Sequence, residues 1–155
     1  MLLTDEQKDA IKKEYESFVD SQYAGKSKEE RQELGQFFTP PELSFKMLEK
    51  FEDLNGTILD PTVGAGGLIA AAVIAGADPK KCYGIELDKG ILEIARKRLS
   101  LLGVPKANVH QGNALYEECY DFSDDYNYEK AVAAAEKRLA APVLPMTGFS
   151  NFFKK

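Results

Sequence analysis

The sequence has no tryptophan, a single histidine (His110) and only two cysteines, Cys82 and Cys119, among its 155 residues. A zinc site draws about three or four protein ligands, mostly Cys and His at short spacings. With no CxxC pair and one histidine there is no such donor set, and no metal ligand is assigned. The two thiols are expected to be free and buried or half-buried, acting as small apolar groups.

Long apolar runs are also missing. Nothing approaches the ~20 residues that span a bilayer, and Met1-Leu-Leu-Thr-Asp-Glu has neither the basic start nor the apolar core of a secretion signal. A cytoplasmic location with no membrane partner is the expectation. Positive charge is scarce as well: 20 Lys and Arg against 25 Asp and Glu leave a net −5. Phosphate neutralisation supplies much of a protein's affinity for DNA, so strong DNA binding by this chain alone is not expected. The local clusters Lys80-Lys81 and Arg96-Lys97-Arg98 read as solvated surface.

What is present is the composition of one ordinary globular domain, 44% apolar and 29% charged. Thr4-Asp-Glu-Gln7 and Ser27-Lys-Glu-Glu30 each have the form of a capping box. They predict an amphipathic helix over 5–22, with Ile11, Tyr15, Phe18 and Val19 on one side, and a shorter helix to about Leu34. Thr39 as N-cap with Pro40 at the first helical position predicts a third helix. Its apolar face is expected to be Leu43, Met47, Leu48 and Phe51.

From Asn55-Gly56 onward the pattern alternates. Strands are predicted at 57–59, 82–85 and 107–110, with helices over 66–75 and 89–102 between them and an alanine-rich helix over 128–140. A β-α-β-α-β run implies a parallel sheet with helical crossovers, the nucleotide-binding half of a doubly wound α/β fold. The division expected is a helical extension, 1–34, and a Rossmann-like α/β domain, 35–155, whose strand pattern fades after the third strand. Residues 117–129 are acidic and tyrosine-rich, and 141–145 read as extended.

The chemistry centres on Asp60-Pro61-Thr62-Val63-Gly64-Ala65-Gly66-Gly67, a glycine-rich turn between a strand and a helix. Missing Cβ atoms there permit a sharp turn and close approach of a ligand. A nucleoside-triphosphate loop would end in Gly-Lys-Ser/Thr, but Gly67 is followed by Leu68-Ile69. A dinucleotide fingerprint fits Gly64 and Gly66 but would need a small residue where Ile69 stands. Asp60 would repel a pyrophosphate and attract the ammonium and sulfonium charges of S-adenosylmethionine. Glu86 lies 22 positions beyond Gly64, the spacing at which an acid meets ribose hydroxyls. Ile85 and Leu87 beside it could pack on an adenine ring. The bland alternative is a glycine turn next to a surface acid that binds nothing.

Four segments, within residues 35–115 and in family order, resemble adenine-N6 DNA methyltransferases, above all the modification subunits of restriction systems and related phage enzymes. They are Gly35-Gln-Phe-Phe-Thr-Pro40, Leu59 to Gly67, Tyr83-Gly-Ile-Glu-Leu-Asp88 and Gln111-Gly-Asn-Ala-Leu115. The resemblance implies an S-adenosylmethionine-dependent methyltransferase fold binding S-adenosylmethionine or its product S-adenosylhomocysteine. It implies that Phe37, Phe38 and Thr39 flank the methionine moiety and that Asp60, with Pro61, Thr62, Gly64, Gly66 and Gly67, forms the turn holding its amino group. Glu86 and Leu87 would meet the ribose and adenine, and Asn113 and Leu115 the adenine edge. At Asn113 the family often has Asp; an amide oxygen still accepts a hydrogen bond. Core packing is the competing use for Phe37 and Phe38, and helix capping for Thr39.

The family's Asn/Asp-Pro-Pro-aromatic segment, which holds a flipped adenine, is not found. The one Pro-Pro is Pro40-Pro41, and Ala141-Pro-Val-Leu-Pro145 lacks both the polar and the aromatic residue. No catalytic residue is therefore assigned. Three explanations stand: one half of a split enzyme whose second polypeptide supplies catalysis and DNA recognition, an inactive S-adenosylmethionine-binding module such as a sensor or decoy, or a piece of a longer protein. A small-molecule methyltransferase is a further reading.

Overall fold

The computed structural model describes residues 1–35 and 38–141. Helix α1 (Asp5–Tyr23) starts on the Thr4 box: Gln7 N–H donates to Thr4 Oγ1 (3.2 Å) and Thr4 N–H to Gln7 Oε1 (2.9 Å). The Gln7 amide also donates to the Ala75 carbonyl at 2.8 Å, satisfying a helix-end acceptor elsewhere in the fold. Helix α2 (Lys28–Gly35) uses Ser27 and Glu30 in the same reciprocal way.

Helix α3 (Pro41–Leu48) departs from expectation at its start and on its face. It begins one residue late, with Pro40 as a cap that makes no side-chain bond, so Thr39 is not the cap. Pro41, Ser44, Phe45 and Leu48 are the buried stripe, whereas Leu43, Met47 and Phe51 are exposed. Both sets follow helical spacing. The inner one was hidden because Ser44 and Pro41 do not look apolar.

Strands β1 (Ile58–Asp60), β2 (Cys82–Glu86) and β3 (Val109–Gln111) form a parallel sheet in that order, with Asp60 beside Gly84 and Glu86 beside Gln111. Helices α4 (Gly67–Ile74) and α5 (Lys89–Leu101) are the crossovers. Helix α4 is apolar all round, as a helix enclosed on every side should be. Ile69 and Ala70 to Ala72 are 0–1% exposed, between the sheet and α1 and α3. The short alanine side chains let these layers approach closely. Leu3 and Ile11 from the chain start join the same core as Cys82, Leu92, Ala95, Leu99 and Val109.

On the other sheet face the cover is not an α-helix but the segment that follows β3, with one short 3-10 turn at Glu117–Tyr120. Gly112 crosses so tightly over Ile85 that a Cβ would come within 2.8 Å of its Cγ2. Ile85 is wholly buried by that crossing, so it cannot face an adenine ring. His110 stacks between Phe122 and Tyr126, at 4.4 and 3.9 Å between centroids, and its Nε2 donates to the Cys119 carbonyl at 2.8 Å. The Tyr126 hydroxyl donates to the Gln111 carbonyl (2.6 Å), and Tyr83 meets the edge of Phe122. Helix α6 (Tyr128–Ala140) follows. Among the described residues this cover stops short of β1. Leu59 is 40% exposed, and Thr57, Leu59, Tyr83, Tyr120 and Phe122 line an open depression of about 340 Å³. Among the described residues β1 pairs only with β2, leaving its outer edge open. Both cysteines are buried and free. No described helix is long and apolar enough to cross a membrane. Of the segment 141–145, residues 142–145 lie outside the described residues.

Burial holds the His110 imidazole below its ordinary value, against the raising effect of the Cys119 carbonyl. The unfolded chain therefore takes up this proton first, near the ordinary histidine value of about 6.5. The stability linked to His110 is full above that value and is lost as pH falls through it, levelling off below the native value. In His110→Phe, which keeps the stacked ring, this slope should vanish from urea unfolding series over about pH 5 to 8, measured against the parent chain.

Candidate functional site

The β1–α4 turn is closed by its own hydrogen bonds. Thr62 N–H donates to Asp60 Oδ1 (3.0 Å), Val63 N–H to the Ile85 carbonyl (2.9 Å), Gly64 N–H to Glu86 Oε2 (3.0 Å) and Gly66 N–H to the Val63 carbonyl (2.8 Å). The other Glu86 oxygen accepts from Asp88 N–H at 2.9 Å. Gly64 and Gly66 both have positive φ, +53° and +82°, the left-handed region that glycine occupies at little cost. A Cβ on Gly66 would sit 2.9 Å from Leu99 Cγ, and one on Gly67 3.1 Å from Thr39 Cβ. Gly84 is as tightly constrained, since its Cβ would reach within 2.9 Å of Val63.

Above this turn opens a cleft of about 480 Å³ lined by Phe38, Thr39, Pro40, Leu43, Thr62, Val63, Gly64 and Glu86. Five of these residues belong to the set read from the sequence: Phe38, Thr39, Thr62, Gly64 and Glu86. Pro40, Leu43 and Val63 do not. Leu43 was assigned to the inner face of α3 and instead stands at the cleft wall. Asp60 is half-buried at the β1 end, and Pro61 is exposed beside it. Gly66 and Gly67 lie buried behind the turn. Leu87 and Leu115 stand outside the cleft wall, 55% and 87% exposed. Asn113 is also outside it; its amide oxygen accepts from Leu115 N–H at 3.0 Å. Phe37 lies outside the described residues.

Both acids have defined states of contact. Burial is the main influence on Asp60 and pushes its carboxyl above the ordinary value; the Thr62 N–H opposes this, and the nearby Glu86 charge adds to it. Glu86 is the charged group of the cleft wall, and its two oxygens keep further lone pairs for a ligand. A phosphate-binding turn must aim free N–H groups at its anion. Here four turn N–H groups are consumed internally, two of them by carboxylates. The site suits a ligand with hydroxyl donors and positive charge and does not suit a pyrophosphate.

One basic cluster does not behave as the solvated surface expected of it. Arg98 is 4% exposed and paired with Glu14 of α1, and the guanidine Nε of Arg96 donates to the Val109 carbonyl at 2.7 Å.

The model of the N-6 DNA methylase family matches residues 6–135. The chain belongs to that family. It is 35% identical over 105 residues to the type II methyltransferase M.VspI of Vibrio sp., covering 65% of this chain and 24% of the relative. It is 33% identical over 84 residues to the type II methyltransferase M.NspV of Nostoc sp., covering 52% of this chain and 18% of the relative. The chain thus spans a quarter or less of the length of these curated relatives. No solved structure matches it significantly. Membership in the family implies use of S-adenosylmethionine, and the sheet with its glycine turn is consistent with the fold of such methyltransferases.

Gly66→Ala is expected to lose about 2–4 kcal/mol in urea unfolding, from left-handed strain and the collision with Leu99. Gly25→Ala, at φ +72° with open space around it, isolates the strain and should lose only about 1–2 kcal/mol.

Proposed function

We propose that this chain binds S-adenosylmethionine or S-adenosylhomocysteine in the Phe38–Glu86 cleft and forms the cofactor-binding part of an adenine-N6 DNA methyltransferase. The observation that carries the reading is the internal consumption of the turn's N–H groups, with a glutamate held at the cleft wall. Glu86 accepts from the ribose hydroxyls, and the Asp60 carboxylate attracts the ammonium group. Phe37, Phe38 and Thr39 flank the methionine chain. Leu87 borders the adenine and Asn113 faces its amino group, with Leu115 beyond. Pro61, Thr62, Gly64, Gly66 and Gly67 shape the turn. The bound cofactor supplies a methyl group made electrophilic by the sulfonium.

For methyl transfer to DNA, further chain, in a second polypeptide or in a longer form of this one, supplies the base pocket and DNA recognition. Two observations favour this over an inactive module. The family relatives carry far more chain than is matched here. Among the described residues the sheet also ends at an open β1 edge beside the exposed Leu59, and proteins ordinarily cover or blunt such an edge.

Calorimetry with S-adenosylhomocysteine should show saturable binding, weakened about 10- to 100-fold in Glu86→Ala, the range for lost hydrogen bonds to a charged group. No heat at millimolar ligand defeats the reading. The affinity for S-adenosylmethionine should decline as pH falls through the raised Asp60 value, higher than an ordinary aspartate would place it, and Asp60→Asn should be weaker and lack this decline. The sign for stability is opposite. The native value lies above the unfolded one, so the Asp60-linked stability is greatest at low pH and is lost as pH rises through the native value. In a labelled-methyl assay the chain alone should leave adenine-containing duplex unmethylated. Transfer by these 155 residues alone, abolished in Asp60→Ala, would overturn the need for further chain.

A further inference from the structure

We infer that Arg98 is a positioning residue for the cofactor turn, clamping it to α1 through Glu14; the inference rests on the cofactor reading above. Arg98 projects from α5 into a site where its guanidinium is almost wholly enclosed. Its Nε and Nη2 donate to Glu14 Oε1 and Oε2 at 2.8 and 2.6 Å, a two-pronged pair, while Nη1 donates to the carbonyl of Ala65 at 3.2 Å. Ala65 lies between Gly64 and Gly66 in the turn itself and is 1% exposed.

The same guanidinium lies 4.0 Å over the ring of Phe18 on α1. Phe18 in turn meets Phe38 edge-on, with 5.2 Å between centroids, and Phe38 lines the cleft. Phe18, Phe38 and Ala65 form a small apolar cluster of their own, separate from the main core. One cation therefore fixes two walls of the cleft: the turn through a backbone carbonyl, and the Phe38 wall through an aromatic stack.

The planar fork of arginine is needed for this. It satisfies a carboxylate with two nitrogens and keeps a third for the carbonyl, which a lysine ammonium at the same depth does not reproduce. The arrangement carries a desolvation cost, since replacing a buried ion pair by apolar side chains is often neutral for stability. A pair serving stability alone would be replaceable in that way. A pair holding the turn would not.

The test is the double variant Glu14→Met/Arg98→Met in the full chain, with two readouts. Amide hydrogen exchange at Gly64, bonded to Glu86, and at Gly66, bonded to Val63, should accelerate at least about tenfold while β2 and α4 keep their protection. Affinity for S-adenosylhomocysteine, measured well below the melting point, should fall about tenfold. Should the double variant not fold, Arg98→Lys serves, keeping the charge beside Glu14 but not the Ala65 contact, with the same selective loss. Parental exchange at Gly64 and Gly66, or acceleration spread evenly through the fold, overturns the clamp. So does parental affinity in a variant whose turn exchanges faster. If the parent chain binds neither cofactor form, the cofactor reading fails, and the exchange comparison alone decides whether Arg98 holds the turn.

Discussion

The hydrogen bond from Gly64 to Glu86 joins the turn after the first strand to the end of the second, and most of the site depends on it. It fixes the glutamate's orientation while the Asp88 N–H fixes its other oxygen. Such charge-assisted bonds contribute about 1.5–3 kcal/mol when partly shielded. For the turn to reach that glutamate, Val63 must lie over Gly84 with no Cβ between them, and Gly66 must pass against Leu99 in the left-handed region. Four positions are thus coupled by one carboxylate. Under the proposed reading the sign of the ligand's charge follows from the same bond, because a turn whose N–H groups end on carboxylates offers little to an anion.

The two sheet faces solve burial differently. On one, helices α1, α3, α4 and α5 build a core whose closeness depends on the alanines of α4. On the other, a segment with a single short 3-10 turn lies on β2 and β3, held by rings stacked around His110 and by backbone acceptors at Cys119 and Gln111. A stack of rings covers a narrow strip, where a helix would cover a broad one. That difference leaves Leu59 and Tyr83 bordering an open depression.

Elements whose signals are local could be read from the sequence to within a residue or two. The two capping boxes, the glycine turn and the Ile91-Leu92-Ala95-Leu99 stripe of α5 are all specified by neighbours at short spacing. Features made by distant segments could not. Glu14 and Arg98 are 84 positions apart, and a run of three basic residues looks like surface until a helix from the chain start closes over it. The inner stripe of α3 was obscured by Ser44, polar yet 1% exposed. Ile85 carries the alternation of any buried strand residue, and only the crossing of Gly112 decides that protein, not ligand, covers it. Five of the cleft residues were legible because motif spacing reflects strand ends. Leu43 was not, since an apolar residue on a helix signals burial before it signals a wall.

The open edge and the cofactor cleft lie at different ends of one constraint. A three-stranded parallel sheet can complete a nucleotide-type site, because that site is built from turns at the strand ends and needs only β1, β2 and the segments around them. Among the described residues it does not finish its own edge. Exposed strand edges with apolar neighbours invite pairing, and proteins ordinarily blunt them with charge, proline or a covering element. Here Ile58 and Leu59 are apolar, and the charge and proline that could blunt the edge, Asp60 and Pro61, stand at the strand's end in the glycine turn. Under the proposed reading this is where the division of labour falls: binding is confined to one side of β1, and whatever presents the methyl acceptor adds to the other.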